Sequence, residues 1–573
     1  MKRYINKFFK LYVLLGTLAI LNSCGEDFLT QIPLDRLSAE TFFKSDADFI
    51  AATNGVYDAM NKRNEAEFVA MFDMATPFAD CGGQFRYNVY QVRQTNGVIA
   101  IDDNYWGSIT MWPIFWNIIS RANNVMENID IEDSEVSDAI RSRSEGESRF
   151  LRAYAYFNLV QLFGDVPLIT EYLAYEELQQ PRSPKEDVYE QIIEDLSIAA
   201  ELLPSVTSYR GTAELGRASK GAANALLGKT YLFMQDYVNA EIYLDKVISS
   251  GDYSLESNFV SMFWPDNENG IESIFEVQYN SADPDVGDDR NRWPQYGGFE
   301  SPSNTYWSNG WRYVLPTEYF CDLFDMKSGY KVKSTFVQQL ENPVIPEGLD
   351  LEYTYTSDDP AFEFSNKKPF YEFRDPRLKW TAWFDDTPYI EEDFKDRGLC
   401  PDANYIKSYS MMTNHNSVKY LTGKSSPQDE SDMNMIVIRY ADILLMAAEA
   451  KLEQNKLSEA VALINQVRER PSVDMPTVEE IGATQGIDIA GNQDNLRTYL
   501  REERYRELAF EWGHIYYDQL RWRIYDDEME KFWVNGRDGW TNPDFVWDDA
   551  WWLWPIPGDE FARNENLTQN PGY

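Results

Sequence analysis

Flat aromatic side chains are concentrated in one polar stretch of the sequence, residues 290–312, beside arginine and amide side chains. A sugar ring presents an apolar C–H face and a rim of hydroxyls, so its recognition requires an aromatic platform bordered by groups that hydrogen-bond the hydroxyls. The residues here that could supply both functions are Trp293, Tyr296, Trp307, Trp311, Arg292 and Asn304. The rings could instead pack together as a small core of the loop itself.

A smaller set of the same residue types occupies residues 84–106 and contains Arg86, Tyr87 and Trp106. Long segments without helical or strand periodicity are usually functional in a compact protein. We therefore expect ligand-binding loops near 78–111 and 262–313, with some of their aromatic side chains exposed. These residues are the candidate ligand-binding set.

No arrangement of titratable residues in the sequence singles out a catalytic or metal site. The chain has only two histidines, which argues against a histidine-rich metal centre, and His514 lies in a helical segment where packing is expected. The aspartates between 283 and 289 lack the ligand order of a calcium-binding loop. Two carboxylates could serve a glycoside hydrolase, but no motif selects a pair among the 94 acidic residues. The residues alone therefore assign no catalytic group and no metal ligand.

The charge balance argues against a nucleic-acid partner. The 573-residue chain carries 94 acidic and 52 basic side chains, which gives a formal net charge of −42. Proteins that bind a phosphate backbone need clustered Lys and Arg side chains to displace counterions. Hydrophobic residues make up 43% of the chain, enough for a large folded core rather than a disordered acidic chain.

The first 23 residues have the pattern of a signal peptide that ends at a lipidated cysteine. Basic residues precede an apolar run from Leu11 to Leu21, which is too short to span a bilayer. Leu-Asn-Ser-Cys follows, so we expect cleavage before Cys24 and its lipidation, which would hold the mature chain on a membrane. Residues 1–23 are then the signal peptide, 24–40 a tether and 41–573 the folded domain.

Helical periodicity dominates the rest of the chain, so the fold should be mainly α. Apolar residues recur at i, i+3, i+4 and i+7 in many segments. These segments are 112–129, 143–163, 185–203, 216–235, 237–250, 438–455, 457–470 and 494–523. Strand alternation is clear only in short stretches such as 271–279. The tryptophans between Trp547 and Trp554 are expected to pack the C-terminal tail rather than bind a ligand.

Two helix pairs, near 216–250 and 438–470, match each other at the offsets of a tetratricopeptide repeat. Small residues, among them Ala240 and Ala460, recur where antiparallel helices approach most closely. Chance alignment of two amphipathic hairpins is the alternative. Such pairs bury their apolar faces by stacking on neighbours, and they therefore act as a scaffold.

Several long motifs resemble the SusD/RagB family, in the family's order. They are FFKSDADFIAATNGVYDAM at 42–60, FLRAYAYFNLVQLFGDVPLI at 150–169, IRYADILLMAAEA at 438–450, NQVRER at 465–470 and WPIPGDEFARNENLTQNPGY at 554–573. Glu26 and Asp27 resemble that family's signal for export to the outer face of the membrane. One departure lies in RELAFEWGHIYYDQLRW at 506–522, where Ile515 stands at a position that often carries arginine and Trp512 looks like an insertion.

The resemblance implies a mainly α fold: a single large domain of tetratricopeptide-like helix pairs, with long irregular loops that carry the ligand site. It also implies a lipid-anchored protein of the outer membrane that faces the cell exterior in a Bacteroidetes-type bacterium. Members of the family capture oligosaccharides or polysaccharides and act as a lid on a SusC-like TonB-dependent transporter, with no cofactor. The candidate ligand-binding set would then form a glycan site. A helical scaffold that binds only protein partners is the alternative function, and a two-carboxylate glycoside hydrolase is a further one.

Overall fold

The computed structural model describes residues 42–61, 72–80, 106–131, 135–173, 177–279, 314–329, 374–384, 415–417, 419–420, 433–535 and 546–573. Within these ranges the fold is mainly helical, which confirms the class expected from the apolar periodicity. None of the described helices is both long enough and apolar enough to cross a bilayer. Cys24, the expected signal peptide and the expected tether lie outside the described residues.

The N-terminal half is a series of helices in which each helix packs on the next. They are α1 (Asp46–Asp58), α2 (Trp106–Glu127), α3 (Asp138–Phe163), α4 (Lys185–Leu202), α5 (Lys220–Phe233) and α6 (Tyr237–Ser250). The centre of this half is α3, which contacts α1, α2 and α4 and is buried along most of its C-terminal half. Its aromatic and aliphatic residues therefore form the core of this half rather than one apolar stripe.

The C-terminal half contains two short helices and then a second helical series. The short helices are α7 (Glu318–Cys321) and α8 (Arg377–Thr381). The series is α9 (Tyr440–Glu453), α10 (Leu457–Arg468), α11 (Val478–Gln485), α12 (Gln493–Leu508), α13 (His514–Arg521), α14 (Tyr525–Asn535) and α15 (Gly558–Arg563).

The single helix expected at 494–523 is wrong, because the backbone breaks between α12 and α13. Phe510, Trp512 and Gly513 have positive φ angles there. The Lys419 ammonium donates to the carbonyl oxygens of Glu507 and Ala509, at 3.0 and 2.8 Å. These bonds satisfy carbonyls at the end of α12 that have no partner within the helix. The apolar periodicity continues across the break because both helices are largely buried.

In the part of the chain that the structure describes, the short strands form three antiparallel pairs. Strand β1 (Ala79–Asp80) pairs with β3 (Leu315–Pro316), β2 (Ser273–Val277) with β6 (Met435–Arg439), and β4 (Trp383–Phe384) with β5 (His415–Asn416). The alternating stretch at 271–279 is confirmed as strand β2. Each pair joins segments that are far apart in the sequence, so the strands fasten irregular segments to the helices.

The two tetratricopeptide-like pairs, α5 with α6 and α9 with α10, are confirmed and stack on each other through α6 and α9. Close approach explains their small residues: a Cβ at Gly228 would lie 2.7 Å from Cγ of Leu244. Ala240 and Ala460 are completely buried, as their positions require. Lys451 of α9 donates to the Glu241 carboxylate of α6 at 2.9 Å, which adds an ion pair to the stacked faces.

A buried ion cluster also ties α9 to α12 and α13. Arg504 lies 2.9 Å from Asp442 and 2.6 Å from Asp518. His514 is buried in this cluster, and burial together with the nearby Lys229 charge lowers its pKa to about 3. His514 is therefore neutral at physiological pH, and the expectation that it is a packed side chain is confirmed.

Candidate functional site

The structure describes the frame of the predicted site but not its ligand-binding side chains. Trp106 begins α2, and its side chain lies outside the described part. Also outside the described residues are Arg86, Tyr87, Arg292, Trp293, Tyr296, Asn304, Trp307 and Trp311. Their proposed contacts with a ligand remain predictions.

The loop boundaries need correction. Residues 106–111 belong to α2, because their apolar side chains continue into the buried Trp112, whose ring packs edge-on against Phe163 at 5.0 Å. Residues 262–279 contain short 3-10 turns and strand β2. We therefore call residues 81–105 the first aromatic loop and residues 280–313 the second aromatic loop.

One end of each aromatic loop is anchored at the same place, the β1–β3 pair. Asp80, just before the first aromatic loop, lies opposite Leu315, just after the second. Thr317 donates its backbone N–H to the carbonyl oxygen of Phe78 and its hydroxyl to that of Pro77, both at 2.9 Å. The two loops therefore meet the frame side by side, although they are far apart in the sequence.

An aromatic cluster fixes this anchor on the helical body. The ring of Phe78 stacks on Tyr319 with centroids 5.9 Å apart and lies 4.7 Å from the ring of Tyr505 on α12. Phe320 completes the cluster at 5.5 Å from Phe78. Such ring pairs contribute roughly 0.5–1.5 kcal/mol each beyond the burial of their surface. The β1–β3 pair is therefore held by packing as well as by its few backbone hydrogen bonds.

The other end of the second aromatic loop leaves the frame at Tyr279. The backbone N–H of Tyr279 donates to the Asn434 side-chain oxygen at 3.0 Å. The Asn434 amide donates in turn to Glu276 at 3.0 Å and to Gln278 at 2.9 Å. Burial raises the pKa of the Glu276 carboxyl, whose hydrogen bonds to neighbouring polar groups offset part of this effect. The second aromatic loop thus starts from a largely buried network of hydrogen-bonded polar groups.

A further segment, residues 385–414, is anchored beside the aromatic loops. It connects β4 to β5, in which Phe384 lies opposite His415. Strand β5 also contacts β3, so this connection leaves the frame next to the shared anchor of the aromatic loops. The frame therefore brings ends of the connections 81–105, 280–313 and 385–414 to one region.

The charged centre of this region is Glu507 on α12. Its carboxylate accepts hydrogen bonds from Arg377, Arg439 and Arg470, at 2.8, 2.7 and 2.9 Å. All four side chains are almost completely inaccessible to solvent. The three arginines come from α8, the end of β6 and the segment after α10, so one carboxylate joins three separate parts of the frame.

The Glu503 and Glu511 carboxylates extend this cluster on either side of Glu507. Glu503 accepts from Arg377, Arg468 and Arg506, at 2.7, 2.7 and 2.9 Å. The Glu511 carboxylate accepts from Arg439 at 2.7 Å and from Lys419 at 2.6 Å. We call these acidic residues and their basic partners the α12 ion cluster. Removing one partner would leave buried charges without compensation.

Nearby arginines keep the acids of the α12 ion cluster ionised. Burial alone would raise the pKa of Glu503, but the charges of Arg377, Arg468 and Arg506 outweigh it and lower this pKa to about 2. The same balance of burial against arginine charges holds the pKa of Glu507 well below its usual range. Both carboxylates are therefore charged at physiological pH.

We expect acid to destabilise the fold between about pH 4.5 and about pH 2. An unfolded glutamate has a pKa of about 4.3, and the folded-state pKa of Glu503 is lower. The stabilisation that the ionised Glu503 carboxylate contributes is thus complete above the pKa of the unfolded state. It is lost as the pH falls through the folded-state pKa of about 2. Thermal unfolding measured from pH 6 to pH 2 tests this. Glu503→Gln should be less stable at pH 7 and less sensitive to acid, and an unchanged pH profile in this variant would contradict the assignment.

The α12 ion cluster was not predicted from the sequence. The sequence gives a weak indication of buried charges. Arg439 ends strand β6 directly after four apolar residues, and the charged residues of NQVRER end an apolar helix. A charge inside a buried run indicates a buried partner. Nothing in the local sequence identifies that partner as Glu507.

The comparisons with known proteins agree with this architecture. The family model "SusD family" matches residues 271–573, and the model "Starch-binding associating with outer membrane" matches residues 27–232. SusD-like protein P2 of Formosa agariphila is 28% identical to this chain over 98% of this chain and 100% of its own length.

Solved structures show the same fold. A SusD-like protein of Bacteroides fragilis superposes with a TM-score of 0.71 at 25% identity, covering 95% of this chain and all of its own. Surface glycan-binding protein A of Bacteroides thetaiotaomicron, solved in complex with laminarihexaose, superposes with a TM-score of 0.67 at 20% identity, covering 92% of this chain and all of its own. Because one family model covers more than half of the sequence, the chain belongs to the SusD family of glycan-binding proteins associated with the outer membrane.

Proposed function

We propose that this chain is a cell-surface lipoprotein that captures an oligosaccharide or polysaccharide with its two aromatic loops and delivers it to a SusC-like TonB-dependent transporter. Membership of the SusD family supports a glycan as the ligand. The carrying observation is the shared β1–β3 anchor, because it holds one end of each aromatic loop at a single place. Cys24 would carry the lipid that attaches the protein to the outer membrane, with the binding domain outside the cell.

The residue types of the two loops suit capture rather than chemistry. Tryptophan and tyrosine rings of the second aromatic loop would cover the apolar faces of sugar rings. Arg86, Arg292 and Asn304 would hydrogen-bond their hydroxyls, and Tyr87 and Trp106 would add a second aromatic face. A capture protein must also release its cargo, so a dissociation constant of roughly micromolar to millimolar, about 4 to 8 kcal/mol, is expected.

Trp293→Ala and Trp307→Ala are expected to lose most of the glycan retention of the wild-type protein, because each change removes a ring that stacks on a sugar. Native gels cast with a panel of polysaccharides, including laminarin and starch, measure this retention. The unfolding temperature should stay unchanged, since the helical frame is intact. Tyr172→Ala is the matched control, because it removes an exposed aromatic ring from the frame outside both loops. Wild-type retention in both tryptophan variants would refute the aromatic loops as the site.

The same purified protein separates the proposed function from its alternatives. A capture protein should bind a polysaccharide and release no new reducing ends during prolonged incubation. Release of reducing ends would favour a glycoside hydrolase. Failure to bind any polysaccharide, with stable association with proteins other than a transporter, would favour a protein-binding scaffold.

A further inference from the structure

We propose that the helical frame carries a second ligand pocket, lined by no residue of the β1–β3 anchor, that binds a short saccharide of a few rings. The cavity has a volume of about 800 Å³ and lies where α3, α4, α5, α13 and the C-terminal segment meet. This volume is in the range of small-molecule sites. The ligand class rests on the proposed function, whereas the existence of the site rests on the observations below.

The first observation is the residue that ends α13. The backbone N–H of Arg523 donates to the carbonyl oxygen of Leu520, and that of Ile524 donates to Gln519, at 3.1 and 3.2 Å. This pair of bonds defines a Schellman turn, whose left-handed position normally carries glycine or asparagine. Arg523 occupies it with a φ of 55°, a conformation that a side chain with a Cβ adopts only at a cost. An arginine at such a position indicates that its side chain has a role.

The second observation is another Schellman turn with a non-glycine residue at its left-handed position, at the end of α5. The backbone N–H of Gln235 donates to Leu232, and that of Asp236 donates to Tyr231, at 3.0 and 2.9 Å. Gln235 has a φ of 62°, so it also holds the left-handed position of a Schellman turn. Arg523 and Gln235 both line the proposed pocket, although the two helix ends are remote in sequence.

Other helix ends of the chain provide an internal comparison. The left-handed residue after α6 is Gly251, the one after α11 is Gly486, and the one after α9 is Asn455. These are the residues that favour this conformation. None of the three lines the pocket. Gly164, which follows α3, also lines the pocket and has a φ of 70°, whereas Phe510, which follows α12 outside the pocket, has a φ of 63° and buries its ring in the core. Arg523 and Gln235 differ from Phe510 in that their side chains are exposed and line one cavity.

The side chains of these two residues are available to a ligand. The Arg523 guanidinium lies 4.7 Å from the centroid of the Trp552 ring and, within the described ranges, forms no ion pair. The Gln235 amide is exposed and likewise has no hydrogen-bond partner among the described residues. Trp552 and Trp554 are among the tail tryptophans that are expected to pack against the protein. Trp554 is buried as expected. Trp552 is only half-buried, and it lines the pocket.

The remaining lining suits a neutral polyhydroxylated molecule. Phe233, Leu520 and Leu553 provide apolar wall, while Asp165, Lys185 and Glu186 place charges of both signs at the rim. Sugar hydroxyls both donate and accept hydrogen bonds, so they can satisfy a mixed set of this kind. Two further arginines of the lining, Arg182 and Arg521, already donate to the side chains of Asn570 and Glu449. The remaining cations, Lys185 and Arg523, are matched in number by the two carboxylates, which makes an uncharged saccharide the better match.

The test uses the mature chain carrying Trp293→Ala and Trp307→Ala, so that binding by the aromatic loops is weakened. Maltotriose, laminaritriose and cellotriose are titrated and followed by saturation-transfer NMR. At least one should bind with a dissociation constant in the millimolar range. Adding Arg523→Gly or Gln235→Gly should weaken this binding at least tenfold. Because glycine is favoured at both positions, the unfolding temperature should be unchanged or higher.

Asn455→Gly is the matched control, since it places glycine at the same kind of helix end outside the pocket and should leave binding unchanged. The pocket is refuted if none of the three saccharides binds the double variant, or if both glycine variants bind as tightly as their parent. Failure of this test can be distinguished from failure of the proposed function. That function fails if the tryptophan variants keep full polysaccharide retention, whatever Arg523→Gly does.

Discussion

Glu507→Ala is expected to lower the free energy of unfolding by about 3 to 5 kcal/mol, because it removes one partner from a buried ion cluster. Arg377, Arg439 and Arg470 would each lose an acceptor at 2.7 to 2.9 Å and remain inaccessible to water. Chemical denaturation at pH 7, with the midpoint and slope compared between variant and wild type, measures the loss.

Glu201→Ala is the matched control for this prediction. Glu201 is an exposed acid on α4 with no ion pair among the described residues, so its removal should change the free energy of unfolding by less than about 0.5 kcal/mol. Glu507→Gln keeps the shape of the side chain and should still lose stability, since the negative charge is what the arginines require. A loss below about 1 kcal/mol in Glu507→Ala would show that the cluster is not needed to hold the frame together.

Gly513→Ala is expected to lower the free energy of unfolding by about 3 kcal/mol or more, because strain and a clash combine. Gly513 has a φ of 69°, and an added Cβ would lie 2.7 Å from Cγ and 2.9 Å from Cβ of Phe72. Phe72 cannot move easily, since its buried ring stacks on Tyr516 at 5.4 Å and contacts Trp554 at 5.5 Å. Thermal and chemical unfolding measure the effect.

Gly486→Ala separates the clash from the backbone strain. Gly486 has a φ of 70°, but nothing lies within 4 Å of the position that an added methyl group would take, so only the left-handed conformation is penalised, by about 1 kcal/mol. Equal losses in the two variants would contradict the clash.

Phe72 also precedes β1 in the same described segment, so we expect Gly513→Ala to weaken glycan retention through the shared loop anchor.

Local patterns were sufficient to predict the scaffold. The helix pairs follow from apolar residues at helical spacing, and Gly228, Ala240 and Ala460 mark the close approach of their helices. Both features involve residues within one turn or one hairpin of each other. Their physical causes are therefore readable from a short window of sequence.

The contacts that position the loops were not predictable in the same way. Glu507 and Arg377 are 130 positions apart, and the β1–β3 pair joins residues from the beginning and the middle of the chain. A two-residue strand has no periodicity to recognise, and an ion pair has no local signature beyond a charge in an apolar run. The break between α12 and α13 was missed because the buried cations that accompany it come from elsewhere in the chain.

The candidate ligand-binding set itself remains a prediction from residue types. The frame adds a constraint to it, because Asp80 and Leu315 are paired and thus place the start of one aromatic loop beside the end of the other. The second pocket illustrates the opposite case. The helix-pair pattern predicts a turn near Gln235, but no sequence pattern assigns a ligand to Gln235 or Arg523. Their left-handed backbone and their shared cavity draw attention to them.

The central claim is that the two aromatic loops bind a glycan together. The most direct measurement is the crystal structure of the mature chain with an oligosaccharide cut from whichever polysaccharide the wild-type protein retains. We predict that the sugar contacts Trp293 or Trp307 and also at least one residue of the first aromatic loop. An oligosaccharide bound with no contact to either aromatic loop would contradict this claim.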